Sequence, residues 1–326
     1  MIHIDKQGTD PWFNIAADEF VLKQLQEDVF MVWNNTPCVV VGKHQHALAE
    51  INQSFLQTNH IPVIRRISGG GTVYHDEYCL NYSFITNAKS DSDKINFDYF
   101  TRPIRDFLQS IGIDARLTDK STLMVDDRKI SGNAAHLFKS RSIHHGTLLY
   151  DTDLHKLYES IESAGRTYHS KAVPSNRSRV VNIKSLLADK LSMEHFKAQF
   201  VRFLMDWFGC RESRSFHQYE IQAIQKLAEE KYKSWSWTYG YSPDYHFESL
   251  INLKGVQIPV IIQVKKGNIT SVAAANGTQP ELLLHLNEIL RDVKFEINAI
   301  RERLRPHSLH FSQSEKQFNQ LIQQII

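Results

Sequence analysis

Cysteine is scarce in this chain. Its three residues, Cys38, Cys79 and Cys210, are odd in number and far apart. That excludes a disulfide framework and a cysteine-built zinc cluster, and it points to a reducing compartment. No apolar run is long enough to span a bilayer. Charge of one sign is missing too: 38 Lys and Arg stand against 36 Asp and Glu, a net of +2. That balance gives no reason to expect a nucleic acid or an anionic membrane as partner. The opening Met1-Ile2-His3-Ile4-Asp5 lacks a basic flank followed by an apolar core. No signal peptide is therefore expected, and the chain reads as cytoplasmic. Internal repeats and low-complexity segments are also lacking.

What is present is an ordinary globular composition, 42% hydrophobic and 23% charged over 326 residues. That length holds one large domain and a smaller one, or two of medium size. The chain is organised around Ile64-Arg65-Arg66-Ile67-Ser68-Gly69-Gly70-Gly71-Thr72-Val73-Tyr74-His75-Asp76. Three consecutive glycines are poor helix and poor strand. Their flanks, Pro62–Ile64 and Thr72–Tyr74, are β-branched or aromatic, so the loop joins two strands. A loop of bare N–H groups beside two guanidinium groups suits an anion such as a nucleotide phosphate. A flexible hairpin tip with two surface arginines is the other reading.

Asp10-Pro11 caps and opens a helix. Val29–Trp33 and Cys38–Gly42, separated by Asn34-Asn35-Thr36-Pro37, read as a hairpin. Leu80–Thr86 alternates, with Asn81 and Ser83 on one side and Tyr82 and Phe84 on the other. Asp98–Ile111 and Met193–Phe208 have helical spacing. Leu123–Val125 and Ile130 onward are strands around Asp126-Asp127. On the strand Ile143–Tyr150, His144 and His145 must point to opposite faces. They cannot easily share one metal; one is an interior histidine and the other lines a cavity. Arg166 to Arg179 is a basic polar loop. Texture changes near residue 245, so 1–245 is expected to be one domain and 246–326 a small α/β module. Lys129, leading into Ser131-Gly132, is weak evidence by position alone. Cys79 reads as a buried structural cysteine rather than a nucleophile, since nothing places a base against it.

Taken in order, these segments resemble the lipoate–protein ligases. The likeness rests on Arg65–Asp76, Leu80-Asn81-Tyr82-Ser83-Phe84, Arg128-Lys129-Ile130-Ser131-Gly132-Asn133-Ala134 and His144-His145-Gly146-Thr147-Leu148-Leu149. Phe13–Glu19, Gly42-Lys43-His44-Gln45, Ser178–Ile183 and Trp237–Pro243 fit as well. The resemblance implies an α+β fold: a large mixed-sheet domain shared with biotin ligases, and a small C-terminal accessory domain. It implies that lipoate (or octanoate) and MgATP give lipoyl-adenylate. The acyl group then passes to a lysine of a carrier domain, in a 2-oxoacid dehydrogenase E2 subunit or the glycine-cleavage H protein. Lys129 becomes the catalytic residue, bridging carboxylate and α-phosphate. Arg66, Gly69, Gly70, Gly71, Thr72, Val73, Tyr74, Lys129 and Asn182 become nucleotide contacts. Arg65, Ser68, Gly70, His75, Ser131, Gly132 and His145 become substrate contacts, and the Lys171–Asn182 loop covers the adenylate.

The pattern departs from the family at Tyr78-Cys79, where Gly-Asn is usual, and at Lys120-Ser121-Thr122, where Arg-Asn-Asp is usual. The second change removes an aspartate expected near metal and phosphates; Asp119 or Asp126 could substitute, and no metal ligand is assigned. Two alternatives follow: an ATP-independent lipoyl or octanoyl transferase using Cys79, and a non-catalytic lipoyl or nucleotide sensor.

Overall fold

The computed structural model describes residues 1–88, 95–118, 121–161, 168–176 and 178–326. They fall into two compact units. The first comprises Met1–Lys43, Asn52–Glu162 and Pro174–Ser234; the second comprises His44–Ile51, Ser163–Val173 and Trp235–Ile326.

The first unit is built on an eight-stranded sheet. Its order is Ser213–Ser215, Ile2–Asp5, Val29–Trp33, Cys79–Asn87, Arg141–Leu149, Arg128–Phe138, Thr122–Val125 and Arg116–Thr118. Ile2–Asp5 pairs in parallel with both neighbours and the other pairs are antiparallel, so the sheet is mixed. The alternation along Cys79–Asn87 sorts its two faces. Tyr82 and Phe84 enter an aromatic core with Phe100, Phe107, Phe196 and Phe200, supplied by helices Phe97–Ser110 and Met193–Trp207. Asn81 and Ser83 look the other way, where Ser83 donates to Asp18 of helix Pro11–Gln24. That helix starts as its sequence requires: the Asp10 side chain accepts from the Trp12 and Phe13 amides, and Pro11 loses no bond there.

A second, three-stranded sheet runs Val63–Arg65, Cys38–Val41, Val73–His75. The arginine–glycine loop does join two strands, but those strands flank Cys38–Val41 instead of pairing with each other. The hairpin expected over 29–42 is absent, because Val29–Trp33 and Cys38–Val41 lie in different sheets. Asn34 and Asn35 form no tight turn. The Asn34 amide donates to the Glu77 and Cys79 carbonyls, and the Asn35 amide donates to His75, so the crossover is tied to other strands.

The second unit pairs Tyr168–Ser170, Tyr245–Leu253, Val256–Lys265 and Asn268–Ala274 in antiparallel fashion. Phe247, Val260 and Ile262 pack with Leu283, Leu286, Phe311 and Leu321 from the helices that follow. The sequence divides the chain once, at 245; this unit also takes in the aromatic stretch from Trp235 and two short earlier segments. The reason is packing. The His46 ring lies tilted against Tyr245 with centroids 3.8 Å apart, and the Trp235 ring lies against Gly240 and Gly267, leaving no room for a Cβ on Gly267.

Candidate active site

Helix Pro11–Gln24 places Asn14 and Asp18 one turn apart, facing the polar side of the main sheet. Each backs one histidine. Asn14 donates to Asn35 Oδ1 at 2.9 Å, leaving the Asn35 nitrogen to donate to His75 Nδ1 at 3.0 Å. His75 Nε2 then carries the proton and has no partner among the described residues. Burial lowers the His75 pKa to about 3, with Arg66 adding to the effect. Asp18 accepts from His145 Nδ1 at 2.9 Å, from Ser83, and from Lys6 Nζ at 2.8 Å. Burial works against its charge, but Lys6 and the His145 hydrogen bond prevail and hold the carboxyl below its usual range. His145 Nε2 is left to accept from Ser68 Oγ at 2.6 Å, and Ser68 accepts from Arg66 Nε at 3.0 Å. One buried chain thus runs from Lys6 through Asp18, His145 and Ser68 to Arg66. The neighbouring His144, on the opposite face, stacks on Phe100 at 4.0 Å and accepts from the Asn96 amide. The two adjacent histidines divide as the strand period requires.

The two arginines divide as well. Arg66 spends its guanidinium on the loop itself: Nη2 donates to the Gly69 and Gly71 carbonyls at 2.7 Å and Nη1 to Val40. This brace shapes the glycine turn. Gly70 has φ +85°, and a Cβ there would stand 3.1 Å from Arg66 Nη2. Arg65 is fully buried and donates to the Gly42 and Lys43 carbonyls. It fixes the neighbouring turn and is not brought to the cavity.

Lys129 reaches the site through a register slip. Leu123 faces Ser131 but Met124 faces Lys129, which leaves Ile130 as an extra residue. In a regular strand Lys129 and Gly132, three apart, would face opposite sides. The bulge turns Lys129 onto the Gly132 side, where its Cε and Nζ lie 3.1 Å from the position a Gly132 Cβ would take. Its backbone is held by Arg179 and Val181. Among the described residues no carboxylate pairs with its ammonium. Burial and then Arg66 lower its pKa.

Two adjoining cavities meet at this lysine. The larger, about 310 Å³, is lined by Arg66, Gly70, Gly71, Thr72, Val73, His75, Lys129, Gly132 and His145, with Ile15, Trp33, Val40, Asn81, Asn133 and Thr147. The smaller, about 170 Å³, shares Thr72, Val73, Lys129, Gly132 and Thr147 and adds Tyr74, Leu149, Leu157, Tyr158 and Val180. Three buried polar atoms of the larger lining have no partner among the described residues: Trp33 Nε1, His75 Nε2 and Asn81 Oδ1. Such atoms are costly unless a ligand or water meets them. Ser175 closes over the glycines and accepts from the Thr72 amide at 2.9 Å; Asn176 and Ser178 line both cavities, and Arg177 lies outside the described residues.

Of the expected contacts, Gly69, Ser68, Ser131, Arg65 and Asn182 do not line either cavity. Ser68 acts behind the wall, Ser131 is buried beside Tyr82, and the Asn182 amide donates to the Thr152 carbonyl. Sequence reasoning missed Trp33, Asn133 and Gly146. Tyr82 donates to Asn133 Oδ1 at 2.5 Å, and both groups occupy the space a Cβ on Gly146 would need. A glycine within an otherwise β-rich strand was the available signal. Asn14 and Asp18 were signalled by two polar residues four apart on an apolar helix.

Metal and thiol chemistry fare differently from the lysine. Among the described residues no carboxylate lines either cavity. Asp126 is exposed in its turn, 3.7 Å from Arg128, and Asp119 and Lys120 lie outside the described residues. The described residues therefore offer Mg²⁺ no ligand set. Cys79 is wholly buried, lines neither of these cavities, and burial pushes its thiol well above the usual range. It is inert, not a nucleophile.

A mixed sheet presenting a braced glycine loop, a bulge-aimed lysine and backed histidines is an α+β arrangement that fits the lipoate-ligase resemblance of the sequence. The family model for the lipoyl protein ligase A/B catalytic domain matches residues 10–205. Lipoate–protein ligase 1 of Staphylococcus aureus is 39% identical over 265 residues, covering 80% of each chain. Among solved structures, a lipoate–protein ligase A bound with ATP superposes with a TM-score of 0.64 at 24% identity, over 74% of this chain and all of that one. A bipartite lipoate protein ligase of Thermoplasma acidophilum, described with its E2 lipoyl domain, gives 0.63 at 21% identity over 74% and 96%. The chain belongs to the lipoyl protein ligase A/B family, and it is a ligase. None of its described helices is long and apolar enough to cross a membrane.

Proposed function

We propose that this ligase activates lipoate, or the related octanoate, with ATP and transfers the acyl group to a carrier-domain lysine. The observation that carries the mechanism is Lys129, without a carboxylate partner among the described residues where the two cavities meet. The larger cavity suits the acyl group: Ile15, Trp33 and Val40 offer apolar surface, and His75 Nε2 and Trp33 Nε1 are donors waiting for acceptors. The smaller suits part of the nucleotide, with Tyr74 and Tyr158 as flat walls and the Gly71–Val73 backbone against the phosphates.

In the first step a carboxylate oxygen attacks the α-phosphorus and pyrophosphate leaves. Two anions must approach, and the Lys129 ammonium lies between them. A unit-charge pair at about 4 Å is worth roughly 4 kcal/mol at an effective dielectric near 20. In the second step the carrier amine attacks the adenylate carbonyl, an amide forms, and AMP and a proton depart. The same ammonium stabilises the developing oxyanion. Ser175, Asn176 and Ser178 screen the mixed anhydride from water. Mg²⁺ supplies charge neutralisation on the phosphates; the described residues give it no ligand, so it would travel with the nucleotide.

The carrier is an E2 lipoyl domain or the glycine-cleavage H protein, and the enzyme works in the cytoplasm. Three free, buried cysteines support a reducing compartment. The test is mass spectrometry of carrier domains incubated with lipoate, with and without MgATP. Modification that requires MgATP supports the reading; equal modification without it would replace the ligase by a transferase.

A further inference from the structure

Three of the chain's sixteen histidines converge in the second unit, away from any chemistry described above. His285 lies on helix Glu281–Leu290, His307 ends the 3₁₀ turn Arg305–His307, and His310 lies on Ser308–Phe311. One ligating nitrogen of each lies within 4.8 Å of the others. Their ring centroids are 5.6, 5.6 and 6.3 Å apart. Among the described residues no other three His, Cys, Asp or Glu side chains converge in this way.

Local structure explains the convergence. His307 and His310 are three residues apart on consecutive helical turns, which places them on one face. His285 is held against that face by Phe311, a core residue whose ring lies 5.7 Å away. No hydrogen bond or ion pair among the described residues holds any of the three imidazoles, so their nitrogens are not committed elsewhere. Arg305, the nearest cation in sequence, is engaged by Glu315 at 2.6 and 2.8 Å, which offsets its charge.

The donor set selects the ligand class. Three imidazoles without a carboxylate suit a borderline divalent ion and not Mg²⁺ or Ca²⁺. In a closed tetrahedral site the nitrogens stand about 3.3 Å apart, given metal–nitrogen distances of about 2.0–2.1 Å. Closing from the observed spacing of up to 4.8 Å to that value requires the side chains to rotate inward on binding. His285 and His307 are half-buried and His310 is exposed, leaving the fourth position open to water.

We propose that His285, His307 and His310 form a three-histidine site for a divalent transition cation, zinc foremost. A bound ion would tie helix Glu281–Leu290 to the 305–311 turn and stabilise this unit through linkage. The proposal does not depend on the ligase reading.

The test uses the full chain, stripped with a chelator and titrated with ZnCl₂ alone by calorimetry, and with Co²⁺ by visible absorption. The expected result is one equivalent of zinc bound with submicromolar affinity, tetrahedral Co²⁺ bands, and a rise of several degrees in the thermal midpoint. His285→Ala and His307→Ala should each weaken zinc binding about 100-fold, and His310→Gln about 10-fold or more, with the Co²⁺ bands lost. His310 is exposed, so that variant keeps the fold and guards against misreading an unfolded one. Wild-type affinity and stoichiometry in the triple variant would overturn the proposal. So would wild-type protein that fails to bind zinc below about 100 μM.

Discussion

The first unit holds two lysines in opposite circumstances, Lys6 buried and Lys129 half-buried. Lys6 is fully spent: its ammonium donates to Asp18 at 2.8 Å and to the Asn14 carbonyl at 2.9 Å, and lies 3.3 Å from the centre of a Trp33 ring. Lys129, on strand Arg128–Phe138 of the same sheet, faces the cavities, and among the described residues no anion meets it. Behind the site Lys6 is matched by Asp18, and His75 and His145 of the wall are each backed. At its centre a cation stands exposed to whatever enters. The difference teaches where to look for chemistry. A satisfied buried network positions groups, whereas a cation held in a dry pocket without a partner is poised for a substrate that brings the opposite charge.

The contrast can be broken from either side. Asp18→Ala leaves Lys6 buried and unpaired, and should cost about 3–5 kcal/mol in urea unfolding. The double change Lys6→Met, Asp18→Leu should recover part of that, because it removes both charges but leaves the Ser83 and His145 donors unmet. If the double variant is no better than the single, the wall is not the matched pair described. Next in size, Lys129→Ala should lower lipoate-dependent pyrophosphate release by about 10²-fold or more, equivalent to roughly 2.7 kcal/mol, in a folded protein.

Acid sharpens the comparison. Burial lowers the pKa of both His75 and His144 to about 3 from an ordinary value of 6.5. Between those values the unfolded chain binds protons that the folded chain refuses. Their stabilising effect is therefore full above the unfolded value and falls as pH drops through the window toward 3. Between about pH 7 and pH 5.5 the loss should be roughly 2 kcal/mol for the pair, read from urea midpoints. His144→Phe, which keeps the stack on Phe100, should remove about half of that slope. Gly132→Ala should displace the Lys129 ammonium by a few tenths of an ångström and slow adenylation about 10-fold, with binding of lipoate less affected. Cys79→Ala should change turnover by less than about 2-fold and cost only a core methylene's worth of stability, about 1 kcal/mol. A thousandfold loss there would restore the thiol to the mechanism.

Much of the wall was readable before any coordinates. The cap at Asp10-Pro11 follows from capping chemistry, and the two faces of Cys79–Asn87 and the opposed His144 and His145 follow from the strand period of 2. Asp126 and Asp127 take φ of +47° and +58°, the left-handed pair that a two-residue hairpin turn demands. What periodicity cannot supply is the partner. Val29–Trp33 and Cys38–Val41 look like hairpin strands until Asn34 and Asn35 are seen holding other strands. Arg65 and Arg66 are neighbours of one type, yet one braces the Gly42-Lys43 turn and the other shapes the glycine loop. The bulge at Ile130 follows from register against Thr122–Val125, a relation between strands that neither strand states alone. The lysine was legible as a resemblance, but the reason it faces the cavity was not.

The most direct test pairs two readings on one variant, Lys129→Met. A half-buried, unmatched ammonium lowers stability, and a methionine of similar length fills its place without charge. The thermal midpoint should stay level or rise while lipoate-dependent pyrophosphate release falls by about 10²-fold or more. A variant that melts well below the wild type yet releases pyrophosphate at a near-normal rate would mean that Lys129 is a structural cation like Lys6, and the account of the site would be wrong.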